Sequence, residues 1–465
     1  MTKQEAAIKY ITENYLDYRR LRHDIVADKL QVRLLGDEAK GKRQEYWKEL
    51  SKHDINSIVC HCAQEYDANI TSREVMTALQ SDLIPDVHPL REYVLSCGEW
   101  TEEQPDWIDW VASQVRVKNN DNIDNLRGNQ LPAALKENTP CRSRDVDSSG
   151  TLSKLSSNNN SSLTSNNNHS LSSPNNPADR LWRGCFKKWF VAMVASWMKD
   201  EVVNHQVLVL IGKQGIFKTT WLEHLIPPHL RAYACKLANS NDLNKDERLR
   251  IAEFGLISMD EIDSMNNREL NQLKSVITAT DVNERAAYAY TKERRVRLAS
   301  FCASGNRRDF LTDITGNRRW LPFEVESIQN PFNTILPYER MYAQAWALAQ
   351  DPLFSYWFDL DEIEVLEQHN QHFRDESNEE QLLPILFDVP AEGRGEFMTT
   401  AQISERLVTY GNIKKPMALG RLGVLMSSMG YRSVQRQIGC RRGRGWIVYQ
   451  RDTDEIASMR RLLIH

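Results

Sequence analysis

The sequence predicts an α/β core, flanked by a helical N-terminal region and followed by a winged-helix domain, from three observations. Val207–Thr220, VLVLIGKQGIFKTT, carries an aliphatic strand into a glycine-containing loop and a helix-forming segment. In GLISMDEID, Leu256–Met259 reads as a second buried strand that ends at Asp260 and Glu261. Beyond residue 396, two helical patterns precede a basic two-stranded ribbon.

A chain of 465 residues, 41% hydrophobic, supports two or three domains with real cores. Its net charge of −4 announces no nucleic acid, so any DNA-binding surface is local. The eight cysteines form no CxxC pair. Cys60-His61-Cys62 has no second half and cannot easily place ligands tetrahedrally, so a buried helix is expected there. Free thiols point to a reducing cytoplasm. No secretory signal is seen, and the apolar run Trp189–Met198 is too short to span a bilayer, so no membrane partner is expected.

Residues 1–125 read as mainly helical. HDINSIVCHCAQEY has helical spacing, Thr71-Ser72-Arg73-Glu74 is a capping box, and Pro85 and Pro89 interrupt the pattern. Trp100, Trp107 and Trp110 are expected in a core rather than as a binding stripe. Residues 126–178 change character: sixteen of the twenty-one positions from Ser156 to Asn176 are serine or asparagine. That composition cannot offset chain entropy, and a disordered linker or insertion is expected. The core is assigned to residues 179–350. It opens with RLWRGCFKKWFVAMVASWM, a helix expected to pack on the core rather than on DNA.

Strand, loop and helix in that order build a phosphate cradle of the P-loop kind, G-x-x-x-x-G-K-[ST]. Gly212 opens the loop, Gln214, Gly215 and Ile216 follow, and Phe217 stands at the second glycine position. Gly215 keeps freedom for φ > 0. Backbone N–H groups through Thr220 point at an anion, Lys218 reaches the outer phosphates, and Thr219 can ligate Mg²⁺. Asp260 can hold Mg²⁺ through its water shell, and Glu261 can orient or deprotonate the attacking water. The two strand tips are expected to be neighbours, with ATP and Mg²⁺ as cofactors.

NRELNQLKSVITA reads as a helix. DVNERAAYAYTKERRVRLASFCASGN reads as a hairpin carrying Arg285, Lys292, Arg294 and Arg295 with Tyr288 and Tyr290 interleaved, followed by another strand. That hairpin suits a single-stranded DNA track or is simply solvated. Asn306, ending the strand, either hydrogen-bonds the γ-phosphate or lytic water or is a turn residue. Arg318 and Arg319 are surface residues or an arginine finger for a neighbouring subunit's nucleotide.

Gly212–Thr220, Asp260-Glu261, Lys274, Arg285, Asn306 and Thr315–Trp320, in this order, resemble the virulence-associated protein E family over roughly Asp82–Ala349. The resemblance implies a P-loop ATPase of phages and integrated elements, similar to superfamily 3 helicases within the AAA+ group. It implies Lys218 and Thr219 on phosphate and Mg²⁺, Asp260 as the Walker B metal residue and Glu261 as catalytic base. It also implies Asn306 as sensor 1, Arg318 or Arg319 as finger, and the Lys292 hairpin as a DNA-gripping pore loop. The family usually has glycine where Phe217 stands. A fused primase has no room upstream, so priming would need a separate chain.

Residues 351–395 read as a helical connector and 396–452 as the winged helix. Thr399–Gln402 caps one helix that Gly411 ends, and Pro416 starts another that stops at Gly430. The ribbon carries Arg432, Arg436, Arg441, Arg442 and Arg444 for duplex DNA, with a protein-interaction role as the other reading. It resembles the small domain following this ATPase in proteins of Bacteroides-type mobile elements. The expected function is an ATP-dependent DNA helicase or translocase for replication of a phage, plasmid or integrated element, working as a homo-oligomeric ring, with a hexamer expected. The alternatives are a DNA-binding replication initiator or regulator whose ATP site is an assembly switch, and a phage-defence ATPase.

Overall fold

The computed structural model describes residues 2–16, 20–35, 45–66, 69–119, 177–237, 250–284, 293–311, 317–390, 395–438 and 441–463. The Ser/Asn tract, Arg285, Tyr288, Tyr290, Lys292 and Thr315-Gly316 lie outside the described residues. The chain forms two compact units, Met1–Arg308 with Arg318–His369, and Asp309–Asn317 with Asn370–His465.

In the first unit the N-terminal region holds the expected helices, and in addition a four-stranded sheet that was not expected. Leu21–Asp24 (β1), Lys29–Leu35 (β2), Glu45–Glu49 (β3) and Asp86–Val87 (β4) pair in the order β3-β2-β1-β4. Leu30, Val32 and Leu34 alternate along β2, a period-two signal for a half-buried strand. A small core gathers Val32 and Leu21 with Ile11, Ile58, Val75 and Leu79 from the helices Lys3–Ile11, Lys52–Tyr66 and Ser72–Leu79. The Thr71 capping box is present.

The main sheet has six strands in the order β5-β12-β6-β11-β8-β7: Val115–Val117 (β5), Val207–Ile211 (β6), Ala234–Leu237 (β7), Leu256–Met259 (β8), Ser300–Gly305 (β11) and Trp320–Ile328 (β12). Asp281–Glu284 (β9) and Glu293–Val296 (β10) form the expected antiparallel hairpin. All neighbours in the main sheet are parallel except β5 and β12. This makes the architecture mixed α/β, since parallel strands buried on both faces read as continuous apolar runs. Two expectations need correction. The core reaches upstream of residue 179, because β5 joins this sheet; three residues are too few to show a pattern. And the tips of β6 and β8 are not neighbours, because β11 pairs with both.

The helix Pro177–Met198 packs inward on this core, with Trp182, Phe186, Trp189, Phe190 and Trp197 fully buried. Its indoles donate to backbone carbonyls, Trp189 Nε1 to Phe301 (3.2 Å) and Trp197 Nε1 to Gly255 (3.1 Å). Two of its cations are buried against carboxylates: Arg183 Nη1 lies 2.9 Å from Asp109, and Lys188 Nζ 2.6 Å from Glu362. Trp107 and Trp110 pack against the same core. No helix among the described residues is long and apolar enough to cross a membrane.

The second unit takes in Asp309–Asn317 and the chain from Asn370 on, rather than starting at the expected 396. Its core takes Leu383 and Leu386 from the helix Asn378–Leu386, and Phe387 from Phe387–Asp388 (β13). Glu396–Thr399 (β14), Arg432–Ile438 (β15) and Arg441–Gln450 (β16) complete its sheet, with β13, β14 and β15 all pairing antiparallel to β16. Helices Thr400–Gly411 and Leu419–Ser428 lie between β14 and β15, and the Thr399 capping box is present.

Removing one member of a buried ion pair strands the other charge. Lys188→Ala should therefore lower unfolding stability by about 3–5 kcal/mol in denaturant titration; a loss below about 1 kcal/mol would mean the pair is not buried as described.

Candidate functional site

At the C-terminal end of β6, the Gly212 amide donates to the Gly305 carbonyl (3.1 Å), tying the tips of β6 and β11 together. Only glycine fits at 212, where a Cβ would sit 2.8 Å from the Val325 carbonyl oxygen. The loop then turns through two left-handed residues, Gly215 (φ 86°) and Phe217 (φ 67°). The helix Lys218–His224 follows. Lys218 Nζ folds back into its own loop, donating to the carbonyls of Gly212 (2.8 Å) and Lys213 (2.7 Å) and to Asn306 Oδ1 (3.3 Å). Burial lowers the Lys218 pKa, opposed by Asp263 and Asp260.

Asp260 stands at the tip of β8. Its Oδ1 accepts from Thr219 Oγ1 and Ser304 Oγ, both at 2.7 Å. Its Oδ2 lies 2.6 Å from Lys236 Nζ, which is also 3.6 Å from Glu223. Burial pushes the Asp260 carboxyl up, but Lys236, Ser304 and Thr219 outweigh it and hold the pKa below the usual value. The same pairing raises Lys236, against its desolvation. Glu261 comes next with a left-handed backbone (φ 53°) and starts the turn Ile262–Ser264. Asp263 accepts from the backbone amides of Asn306 (3.2 Å) and Arg307 (3.1 Å), fixing the tip of β11.

These tips enclose a cleft of about 330 Å³. It is lined by Gln214, Gly215, Phe217, Lys218, Thr219 and Thr220 from the loop and helix after β6, and by Asp260, Glu261, Ser304, Gly305 and Asn306 from the tips of β8 and β11. Ile216 instead packs against the hydrophobic core. One ammonium, several hydroxyls and two carboxylates thus face a single space. Hard oxygen donors on Thr219, Ser304 and Asp260 suit Mg²⁺, which binds through one or two carboxylates plus hydroxyl, water and phosphate oxygens. Among the described residues no group of three His, Cys, Asp or Glu could hold a metal unaided. The Cys60-His61-Cys62 stretch is helical, with Cys62 buried but Cys60 exposed.

Residues 159–380 match the virulence-associated protein E-like domain. Lys218, Thr219, Asp260, Glu261 and Asn306 all fall within that virulence-associated protein E-like span, which is just under half of the chain. No curated protein matches. Among solved structures, the apo structure of the NrS-1 C-terminal region (305-718) aligns with a TM-score of 0.41 at 9% identity, covering 96% of this chain and 100% of that one. Two A-form apo structures of the same region give TM-scores of 0.38 and 0.40 at 10% and 11% identity, covering 92% and 93% of this chain and 95% and 98% of theirs. Superposition at that level fixes neither fold nor function.

Arg318 and Arg319 lie at the other end of the main sheet. Register pairs Trp320 with Val207, at the start of β6, whereas the cleft begins beyond Ile211. Four residues of strand separate the two, roughly 13 Å. Of Arg294, Arg441 and Arg442 only the backbone is described. Arg295 is half-buried and bridges Asp28 (2.7 Å) and Glu253 (3.7 Å) at the foot of the hairpin. In the second unit, Arg436 is exposed and its guanidinium sits 5.5 Å from the Phe397 ring centroid, while exposed Arg444 donates to Ser433 Oγ (3.0 Å).

Sequence reasoning missed Lys236, Ser304 and Asp263. Ser304 and Asp263 belong to runs that it did single out, and a hydroxyl one residue before a strand-ending Gly-Asn was the available signal. Lys236 becomes visible only once β7 is known to lie beside β8.

A left-handed backbone suits asparagine and penalises β-branched residues. Phe217→Asn should melt no lower than the wild type, and Phe217→Val should lose roughly 1 kcal/mol in thermal denaturation; the reverse order would contradict the φ of this residue.

Proposed function

We propose that the chain is a P-loop nucleoside triphosphatase of the AAA+/superfamily 3 type, using ATP and Mg²⁺ to drive a DNA helicase or translocase in the replication of a phage, plasmid or integrated element. One observation carries this reading: Lys218, Thr219, Asp260, Glu261 and Asn306, from three strand tips, face one cleft. The match to the virulence-associated protein E-like domain over the same residues supports it.

In this reading the loop amides from Gly212 to Thr220 and the Lys218 ammonium bind the phosphates, and Lys218 gives up its hydrogen bonds to the loop carbonyls to do so. Thr219 and Asp260 would hold Mg²⁺, which supplies neutralisation of phosphate charge. Glu261 positions or deprotonates the attacking water, and Asn306 hydrogen-bonds the terminal phosphate. Arg318 and Arg319 cannot serve their own cleft from the far end of the sheet, so a finger role needs a neighbouring subunit. That requirement supports a ring, for which a hexamer is the proposed state. The β9–β10 hairpin would follow single-stranded DNA in the pore. The second unit, with two helices before an antiparallel ribbon bearing Arg436 and Arg444, is proposed as a winged helix on duplex DNA.

A second reading has its own observation. Lys236 already neutralises Asp260, and a non-glycine residue occupies the loop at Phe217. A site so arranged suits an initiator in which triphosphate binding switches assembly, with little turnover. Strand displacement on a forked DNA, measured beside DNA-stimulated ATP hydrolysis, separates the two: hydrolysis with no displacement favours the switch.

Glu261→Gln should bind ATP with near wild-type affinity and hydrolyse it about 100-fold or more slowly, the ordinary cost of losing a general base; unchanged turnover would remove Glu261 from that role. Mixing Glu261→Gln subunits with subunits carrying Arg318→Ala and Arg319→Ala should restore hydrolysis that neither protein shows alone. Failure to complement in a mixed oligomer would end the finger assignment.

A further inference from the structure

Beyond the phosphate cleft, an aromatic group stands at its mouth with no structural task. Phe332 lies on the turn after β12 and is 71% exposed. Its display is held by the backbone: the Phe332 amide donates to Asn330 Oδ1 (3.0 Å), and the Asn333 amide to the Asn330 carbonyl (3.1 Å). Its ring meets two others edge-on. Phe217, which lines the cleft, lies 6.4 Å away between centroids at 81°, and His224 lies 5.5 Å away at 89°. The His224 ring is itself fixed, because its Nδ1 is 2.7 Å from the Thr220 carbonyl, which can only accept.

The position of this group within the site is informative. Asp260, Glu261 and Asn306 mark the end of the cleft where a terminal phosphate reacts. Phe217 and Thr220 also line the cleft, and His224 is one helical turn beyond Thr220. On the nucleoside-triphosphate reading, a sugar and base that leave the cleft beside Phe217 come within reach of Phe332 and His224, whose rings lie against one another there. Exposed rings beside a phosphate site offer a π-face to a nucleobase, and such stacking tolerates any base. The side chain that costs the loop a left-handed phenylalanine would, on this account, repay it in ligand contact.

We propose that Phe332, with Phe217 and His224, forms a stacking platform for the base of the bound nucleotide. This rests on the nucleoside-triphosphate reading above and names the ligand part that the phosphate cleft leaves unassigned. Phe332 is the test residue, since its exposure makes truncation harmless to the fold and it does not line the phosphate cleft.

Calorimetric titration of the full chain with ATP and, separately, inorganic tripolyphosphate, both with Mg²⁺, isolates the base. Phe332→Ala should weaken ATP about tenfold and leave tripolyphosphate at its wild-type affinity, while Phe332→Tyr should restore ATP binding. Equal effects of Phe332→Ala on the two ligands, or no effect on either, would overturn the platform while leaving the phosphate site standing. If the wild-type chain bound neither ligand, the phosphate-site reading would itself be overturned, and the platform with it.

Discussion

The parallel register of β6, β11 and β8 is the constraint on which the rest of the site depends. Ile211 pairs with Gly305, and Met259 pairs with Ala303. Continuing that register brings Gly212 beside Asn306 and Asp260 beside Ser304, two residues apart along β11, at the same end of the sheet. A slip of one residue on any of the three strands would turn its polar tip to the other face. The buried helix Pro177–Met198 resists such a slip, because its indoles hydrogen-bond backbone carbonyls of β11 at Phe301 and of Gly255, just before β8. Burial of this helix thus acts on the site at a distance, by fixing the strands rather than by touching the cleft.

The polar groups in the cleft are arranged around charge balance. Asp260 has three donors, and each lowers the cost of holding a partly buried carboxylate. Lys218 is satisfied by carbonyls of its own loop. Two backbone positions that disfavour side chains, Phe217 and Glu261, flank this arrangement. Strain of that kind persists where the surroundings over-determine a conformation, and it clusters at working sites.

The three core strands were legible because each is an apolar run closed by glycine or an acidic pair, a pattern local enough to need no topology. The capping boxes at Thr71 and Thr399 were legible for the same reason. The N-terminal sheet was not read: β2 carries an alternation, but its partner β1 reads Leu-Arg-His-Asp, whose polar residues are buried through partners such as Gln31 and Tyr233 rather than through an apolar pattern. β5 alternates but has only three residues, too few to stand out, and at the start of the second unit Leu383 and Phe387 look like connector residues until their neighbours are known. Within the site, Asp260, Glu261 and Asn306 were readable from their positions at strand ends, and Lys218 from the glycine-containing loop before its helix. Lys236 was not, since its partner lies on the adjacent strand and only strand order reveals it.

At the foot of the β9–β10 hairpin one guanidinium reaches across to the turn of the N-terminal sheet. Arg295 grips Asp28, on the β1–β2 turn, and that same carboxylate is also within 3.2 Å of His23 Nε2. The position of the hairpin's stem is therefore tied to the turn of a sheet 267 residues earlier in the chain, a dependence that no local stretch of sequence discloses.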